Sequence, residues 1–440
     1  MSTDTNTPIP NADYATPESL RNASLPDLMN LLKDQRARAL DVVVPASKLA
    51  VCDGLLVVEG TEAVLSDDGV TPADGVYQPT ASFDAQLAGA LKIDLRYLRR
   101  CREQRPDIYD AQVNLWLHGS QEAGRHGTVE QVYPGMARKF LLRLMRSGGD
   151  VGVGDGIARA LLSSKYRRID NFDVALAVLE GIRNARDEHG NPIEAQVVSA
   201  DLTETRMHLR VACPQVRMLA PELLKNYRSP FGDGGAVRVG NGGWSLPAAR
   251  EAAAREGQGY QPGAEPVVFA GFSLTNSDLG HGRWSLKPVI VVQICKNGLT
   301  MTSEAIERTH LGGELDEGKL DWSHETHRRY MELISGQTVD AVSQWFSQPY
   351  LAGAVAELEH LAGVAVTKPE ETIKFVASQL SFSEVEAEAI LAHFYMGGQH
   401  SAAGVMQAVS SVAQTLPDGE SARELEFAAV KAGQLAASRG

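Results

Sequence analysis

The chain has few cysteines, no CxxC pair, no long apolar run and no overall excess of positive charge, and each shortage narrows what it can be. Its four cysteines, Cys52, Cys101, Cys213 and Cys295, stand far apart in 440 residues. That spacing argues against a zinc ribbon and against a redox pair. It suits a reducing cytoplasm, where thiols serve as small buried hydrophobes. No apolar run reaches the roughly 18 residues that a membrane helix needs. The start, MSTDTNTPIPNADYATPES, has neither a basic n-region nor an apolar h-region, so a secretory signal is not expected. Its polar composition cannot bury enough surface to order itself, and residues 1–35 are expected as a disordered tail.

A formal charge of −13 disfavours a simple nucleic-acid coat. The distribution is uneven, however. Between Lys92 and Arg183 there are 16 Lys and Arg against 11 Asp and Glu, a local net of +5, which leaves −18 for the rest. One basic segment sits inside an acidic protein. With 43% hydrophobic and 22% charged residues, a sizeable core is feasible.

Periodicity gives a coarse element order. Residues 39–59 hold two Val/Leu-rich runs and read as a pair of strands. ASFDAQLAGALKI (81–93) reads as a helix. The next helix has Asp94 as N-cap and Pro106 as its stop. AQVNLWLHGS (111–120) reads as a strand entering a loop. In ARKFLLRLMRSGG (137–149), Phe140, Leu142 and Leu144 alternate with Lys139, Leu141 and Arg143, the pattern of a strand. IARALL (157–162) and NFDVALAVL (171–179) read as helices around the connection SSKYRRIDN (163–171), with Asp170 or Asn171 capping the second. Residues 195–215 and 266–300 read as two hairpins. Between them, the Gly-, Pro- and Ala-rich stretch 229–263 is expected as a flexible insertion. From Asp321 onward the strand signal vanishes and amphipathic helices follow one another. The fold class expected is α+β: an antiparallel sheet of hairpins with packed helices over 36–320, followed by an all-helical C-terminal region over 321–440.

Motifs for catalysis and cofactors are missing. GGDVGVGDGIARALL lacks the Gly-Lys-Ser/Thr ending of a phosphate loop and the G-x-G-x-x-G spacing of a dinucleotide site, so a plain loop before a helix is expected and no cofactor is. No G-x-S-x-G elbow is present, and no cysteine lies in a recognisable catalytic signature. Catalytic residues are therefore not assigned, and enzymatic activity is not the favoured reading. His324 and His327 in HETH share a helical face, with His310 upstream, but their spacing is not that of a zinc protease.

The basic segment offers the positive signal. On a wheel of 100° per residue, Leu95, Tyr97, Leu98 and Cys101 fall on one side of the 94–105 helix. Arg96, Arg99 and Arg100 fall on the other. Lys139 and Arg143 add cations on the following strand, and Lys165, Arg167 and Arg168 add more around Tyr166. Cations track phosphates and aromatic rings stack on unpaired bases, the combination used by single-strand binders. The alternative is a solvated basic surface.

Several segments resemble the phage/plasmid-like protein family (domain of unknown function 932). DVVVPASKLAVCDGLLVV, AQLAGALKIDLRYLRRCREQRPDIYDAQVNLWL and IARALLSSKYRRIDNFDVALAVL occur in that family's order. VVQICKNGLT and GGQHSAAGVMQAVSSVAQTL resemble its second half, so the resemblance spans roughly residues 36–435. It implies a phage or plasmid gene acting in bacterial cytoplasm, and it carries no agreed catalytic residues. Such genomes often encode single-strand annealing proteins with an antiparallel sheet and a basic groove, commonly as homo-oligomeric rings; that step is analogy at fold level. The function expected is binding of single-stranded DNA for recombination or annealing. Phosphates would be contacted by Arg96, Arg99, Arg100, Lys139, Arg143, Lys165, Arg167 and Arg168, with Tyr166 stacking on a base. The alternatives are a regulatory factor whose 321–440 region engages a protein partner, and a metal-dependent hydrolase built on His310, His324 and His327.

Overall fold

A computed structural model describes residues 14–66, 69–123, 129–147, 154–227, 267–292, 298–301, 306–308 and 324–439. The expected insertion at 229–263, along with His310 and Cys295, lies outside the described residues. In chain order, β1 (Leu20–Ala23) and α1 (Leu25–Arg38) lead into β2 (Ala39–Pro45), β3 (Leu49–Cys52) and β4 (Leu55–Val58). The small ribbon of β5 (Val64–Ser66) and β6 (Gly69–Thr71) precedes β7 (Gly75–Pro79), which feeds α2 (Ala81–Leu91), α3 (Leu95–Gln104) and α4 (Pro106–His118). A second ribbon, β8 (Ser120–Ala123) with β9 (Val129–Tyr133), is followed by β10 (Lys139–Arg146), β11 (Gly156–Ser163) and α5 (Asn171–Asn184). Then come β12 (Gln196–Leu202), β13 (Met207–Leu219), β14 (Val267–Asn276), β15 (Trp284–Val292), β16 (Gly298–Thr300) and β17 (Ile306–Arg308). The last part is helical: α6 (His324–Trp345), α7 (Gln348–Ala362), α8 (Pro369–Leu380), α9 (Glu384–Gly397), α10 (Ala402–Thr415) and α11 (Gly419–Ala437).

The fold is α+β, with two main sheets. The first runs β2-β10-β11-β7-β4-β3, antiparallel except where β11 lies parallel to β7. The second runs β1-β12-β13-β14-β15-β16, with β17 also on β15, and is antiparallel throughout. The first sheet buries Phe140, Leu142 and Leu144 against α2, α3 and α4. The second sheet shares one core with α1, α5 and the C-terminal helices; Phe272 of β14, for example, stacks on Phe346 at 5.9 Å. The helical region therefore packs into the sheet body rather than forming a core of its own.

Several local expectations fail for identifiable reasons. AQVNLWLH (111–118) is the second half of α4, not a strand; Gly119 is its C-cap and only Ser120 belongs to a strand, β8. Val113, Leu115 and Leu117 alternate, but the buried set is Tyr109, Val113 and Leu117 at helical spacing, and Leu115 is 42% exposed. Pro106 ends α3 as expected and also opens α4, where its missing N–H costs nothing. IARALL is the strand β11, paired with β10 on one side and β7 on the other. Its Ala/Leu content suits a helix, but the sheet buries both its faces and tertiary pairing overrides propensity. Of the Gly-rich stretch before it, residues 148–153 lie outside the described residues; its neighbours in the chain are two strands, β10 and β11, not a strand and a helix. Residues 39–59 form three strands, not two. The 1–35 segment is not all tail: Tyr14 donates to Asp84 Oδ2 at 2.6 Å, β1 pairs with β12, and α1 buries Leu28 and Leu32. Cys101 and Cys213 are buried, whereas Cys52 is exposed.

A candidate nucleic-acid interface on the first sheet and its helices

Alternation on β10 puts Leu141 and Arg143 on the face opposite the helical core. That face is not open to solvent. Val43, Leu141, Ala160, Leu162 and Tyr166 pack there against Leu279 from the turn between β14 and β15. Arg143 pairs in register with Asp41 of β2. Its Nε donates to Asp41 Oδ1 at 3.1 Å, its Nη2 to Asp170 Oδ1 at 2.6 Å and its Nη1 to the Asp278 carbonyl at 2.7 Å. Only 2% of Arg143 is exposed. Burial works against its charge, but Asp41, Asp170 and Asp278 outweigh it and hold the guanidinium well above its ordinary value.

The segment 164–171 is thus the joint between the sheets. Arg168 binds Asp41 at 3.0 Å and Asp170 at 3.3 Å. Tyr166 donates its hydroxyl to the Ser277 carbonyl at 3.0 Å. Asn276 donates to the Ile169 carbonyl and to Asn171 Oδ1, and Asn171 donates to Asp278. Asp170 is the N-cap of α5, yet its carboxylate makes no capping bond, because Arg143 and Arg168 hold it. Burial pushes the Asp170 carboxyl up; Arg168 and Arg143 overcome this and keep it well below the usual carboxylate range.

Three of the expected nucleic-acid contacts are corrected accordingly. Arg143 is enclosed and its charge is neutralised, so no phosphate reaches it. Tyr166 is buried with its hydroxyl spent on the second sheet, so no base stacks on it. Arg168 is committed to two carboxylates. The +5 of the segment is therefore not a surface charge. Arg102 and Arg159 are also inside, Arg102 donating to the Gly54 carbonyl at 2.6 Å and Arg159 lying 3.3 Å from Asp278.

What stays outside is a smaller set. Thr80, the N-cap of α2, donates its hydroxyl to the Arg159 carbonyl at 3.2 Å and Gln86 further along accepts from the Leu161 N–H at 2.8 Å, so α2 runs along β11 towards Ser163. Arg102 near the end of α3 lies 3.9 Å from Asp84 near the start of α2, so α3 runs back antiparallel to α2. The first turn of α3 therefore comes to the same end of the layer as Ser163 and Lys165, with Lys139 one strand across. Arg96, Arg100 and Lys165 are exposed; Arg99, Lys139 and Arg167 are half-buried. The buried stripe of α3 is Leu98, Cys101 and Arg102. Tyr97, expected on the core side, is instead 46% exposed between Arg96 and Arg100. The buried stripe is narrower than the wheel suggested because Arg102, not Tyr97, fills the pocket lined by Tyr14, Tyr109 and Gly54. Tyr97 was visible in the sequence but given the wrong side.

The HETH motif makes a different contact. His324 is exposed, and His327 Nε2 lies 3.1 Å from Asp173, which also binds Arg36. Among the described residues no three His, Cys, Asp or Glu side chains are grouped to hold a metal. Among the described residues, too, no helix is long and apolar enough to cross a membrane. No family model, curated protein or solved structure matches the chain.

Proposed function

We propose that the protein binds single-stranded DNA along the exposed face of α3 and the adjoining end of the first sheet. The observation that carries this reading is Tyr97, an aromatic ring 46% exposed beside the exposed Arg100 one turn on, with the exposed Arg96 next to it in the chain. A half-exposed tyrosine on a rigid helix costs little to order against a base, and neighbouring guanidinium groups meet the phosphates. Lys165 adds an exposed cation at the same end, whereas Lys139, half-buried, falls by alternation on the sheet face opposite α3. In the phage or plasmid setting that the resemblance implies, strand annealing is the process served. A partner-binding role for 321–440 has less support, since α6 to α11 turn most of their apolar residues into the core shared with the second sheet.

The test is fluorescence anisotropy of a labelled oligothymidine titrated with full-length protein at two salt concentrations. Counterion release makes the affinity fall steeply with salt. Absence of binding at micromolar protein and low salt removes the reading. Equal affinity for duplex of the same length removes the role of base stacking.

A further inference from the structure

A serine hydroxyl and an imidazole meet where the start of α2 approaches the turn between β14 and β15. Ser82 is the second residue of α2, after the N-cap Thr80, and its Oγ lies 2.5 Å from His281 Nε2. The backbone of His281 is held on both sides. Its N–H donates to Ser277 Oγ at 2.9 Å, and its carbonyl accepts from Arg206 Nε at 2.9 Å. Gly280 before it has φ +80°, and a Cβ there would stand 2.7 Å from Leu162 Cδ2, so the turn is tight against β11 as well as left-handed.

Gln86 decides the tautomer of the imidazole. Its Oε1 accepts from the Leu161 N–H at 2.8 Å and its Nε2 donates to the Leu279 carbonyl at 2.7 Å, which fixes the orientation of the amide. The same Nε2 lies 3.3 Å from His281 Nε2. An amide nitrogen only donates, so His281 Nε2 presents its lone pair and the ring proton is on Nδ1. Ser82, at 2.5 Å, must then donate to that single lone pair and is its main donor, the Gln86 amide sharing it only at 3.3 Å. Burial, and after it Arg206, lowers the imidazole below its ordinary value, against the opposing charges of Glu420 and Glu204. A hydroxyl that donates to a neutral imidazole is the arrangement that activates a serine nucleophile. The pair ties α2 to the second sheet's turn alongside the Gln86–Leu279 bond. Ser82 is 6% exposed, beneath the partly exposed Glu204, Arg206 and His281.

We propose that Ser82 is a nucleophile, with His281 as its general base, acting on activated carboxylic esters. Ser82 Oγ bonds to the acyl carbon while its proton passes to His281 Nε2. The bond from that carbon to the leaving oxygen then breaks, and the imidazolium gives its proton to that oxygen. Water repeats the sequence on the acyl-serine, His281 taking its proton, and releases the acid with Ser82 restored. The class is limited to good leaving groups, such as aryl esters. The Ser82 N–H, next to the reacting oxygen, is already taken by Glu204 Oε1 at 2.9 Å. It is therefore withheld from the oxyanion that develops in ester and amide cleavage alike, and without that support only substrates with a good leaving group react.

The experiment labels the full chain with a fluorophosphonate probe and maps the modified residue by mass spectrometry. The expected result is label on Ser82 and none in Ser82→Ala. His281→Ala should slow labelling about 100-fold, with added imidazole restoring part of the rate, an effect a structural histidine would not show. In the wild type the labelling rate should fall as acid protonates His281. A folded wild type that takes no label on Ser82 overturns the proposal. So does a folded His281→Ala that labels as fast as wild type. Should His281→Ala not fold, the wild-type pH profile decides, and a flat profile between about pH 7 and pH 4 overturns it.

Discussion

Arg143 of β10 and Asp170, the N-cap of α5, stand 2.6 Å apart, Nη2 to Oδ1, inside the joint between the two sheets. With Asp41 and Asp278 on its other nitrogens, Arg143 ties three separate parts of the chain to one planar group. The guanidinium suits this because its donors diverge in a fixed fork, which a lysine ammonium cannot reproduce. The basic signature SSKYRRIDN is in large part a fastener, and its charges are used within the molecule.

Removing the hub should therefore be costly. Arg143→Met leaves Asp41, Asp170 and Asp278 without their shared cation, and loss of one partner of a buried ionic group costs about 3–5 kcal/mol. Arg143→Lys should recover only part of this. Urea unfolding of the two variants against wild type measures both. A loss below about 1 kcal/mol for Arg143→Met would show that the network does not hold the sheets together.

The same joint should make stability depend on acid. The folded Asp170 carboxyl releases its proton more readily than it does in the unfolded chain. The contribution is complete above the ordinary carboxylate value of 3.8 and is lost as pH falls below it towards the lower folded value. Urea midpoints measured from pH 7 down to about pH 3 should drop, and Asp170→Asn should be less stable at pH 7 with a shallower acid slope. An unchanged slope would remove Asp170 from the account.

The C-terminal helix is held by a second buried network. Arg423 of α11 binds both Asp201 of β12 and Glu426, and Glu426 binds Arg210 of β13. Arg423→Ala removes the cation that two buried carboxylates share, leaving Glu426 with Arg210 alone and Asp201 with Arg21, and should destabilise by about 3–5 kcal/mol. Because α11 shares the core of the second sheet, its loss should unfold that sheet rather than release a helix. Hydrogen exchange resolved by segment distinguishes the two.

For nucleic acid, the exposed and buried members of the basic segment should separate. Tyr97→Ala should weaken single-strand binding by about 1–3 kcal/mol, with Tyr97→Phe close to wild type. Arg96→Glu with Arg100→Glu should abolish binding while leaving the unfolding midpoint unchanged. Tyr166→Phe should do the reverse, costing about 1 kcal/mol of stability through the lost bond to Ser277 and nothing in DNA affinity. Anisotropy and urea melts on the same samples check both directions.

Close packing predicts one further sensitivity. A Cβ on Gly181 of α5 would stand 2.6 Å from the Ser335 carbonyl oxygen and from Thr338 Cβ on α6. Gly181→Ala must push the two helices apart, at a cost of about 1–3 kcal/mol, despite the better helix propensity of alanine. A stabilised variant would mean that α6 yields freely.

The sequence alone determined the fold class, the two hairpins of the second sheet, β10, the helix over 81–93, the helix capped by Asp94, and the run of C-terminal helices. These are local matters, because a side-chain period of two or about four and a capping residue act within one element. It misread α4 and IARALL where a short window showed a false alternation or where pairing to two neighbouring strands outweighed propensity. Only the tertiary structure decided the fate of the charges. Whether an arginine meets solvent or a carboxylate depends on residues far away in the chain; Asp41 lies 102 positions from Arg143, and Asp278 lies 135. For the same reason nothing in the neighbourhood of Ser82 pointed to His281, which is 199 residues distant, or to Tyr97 facing outward. Charge patterns along a chain count cations; the fold chooses which of them remain available.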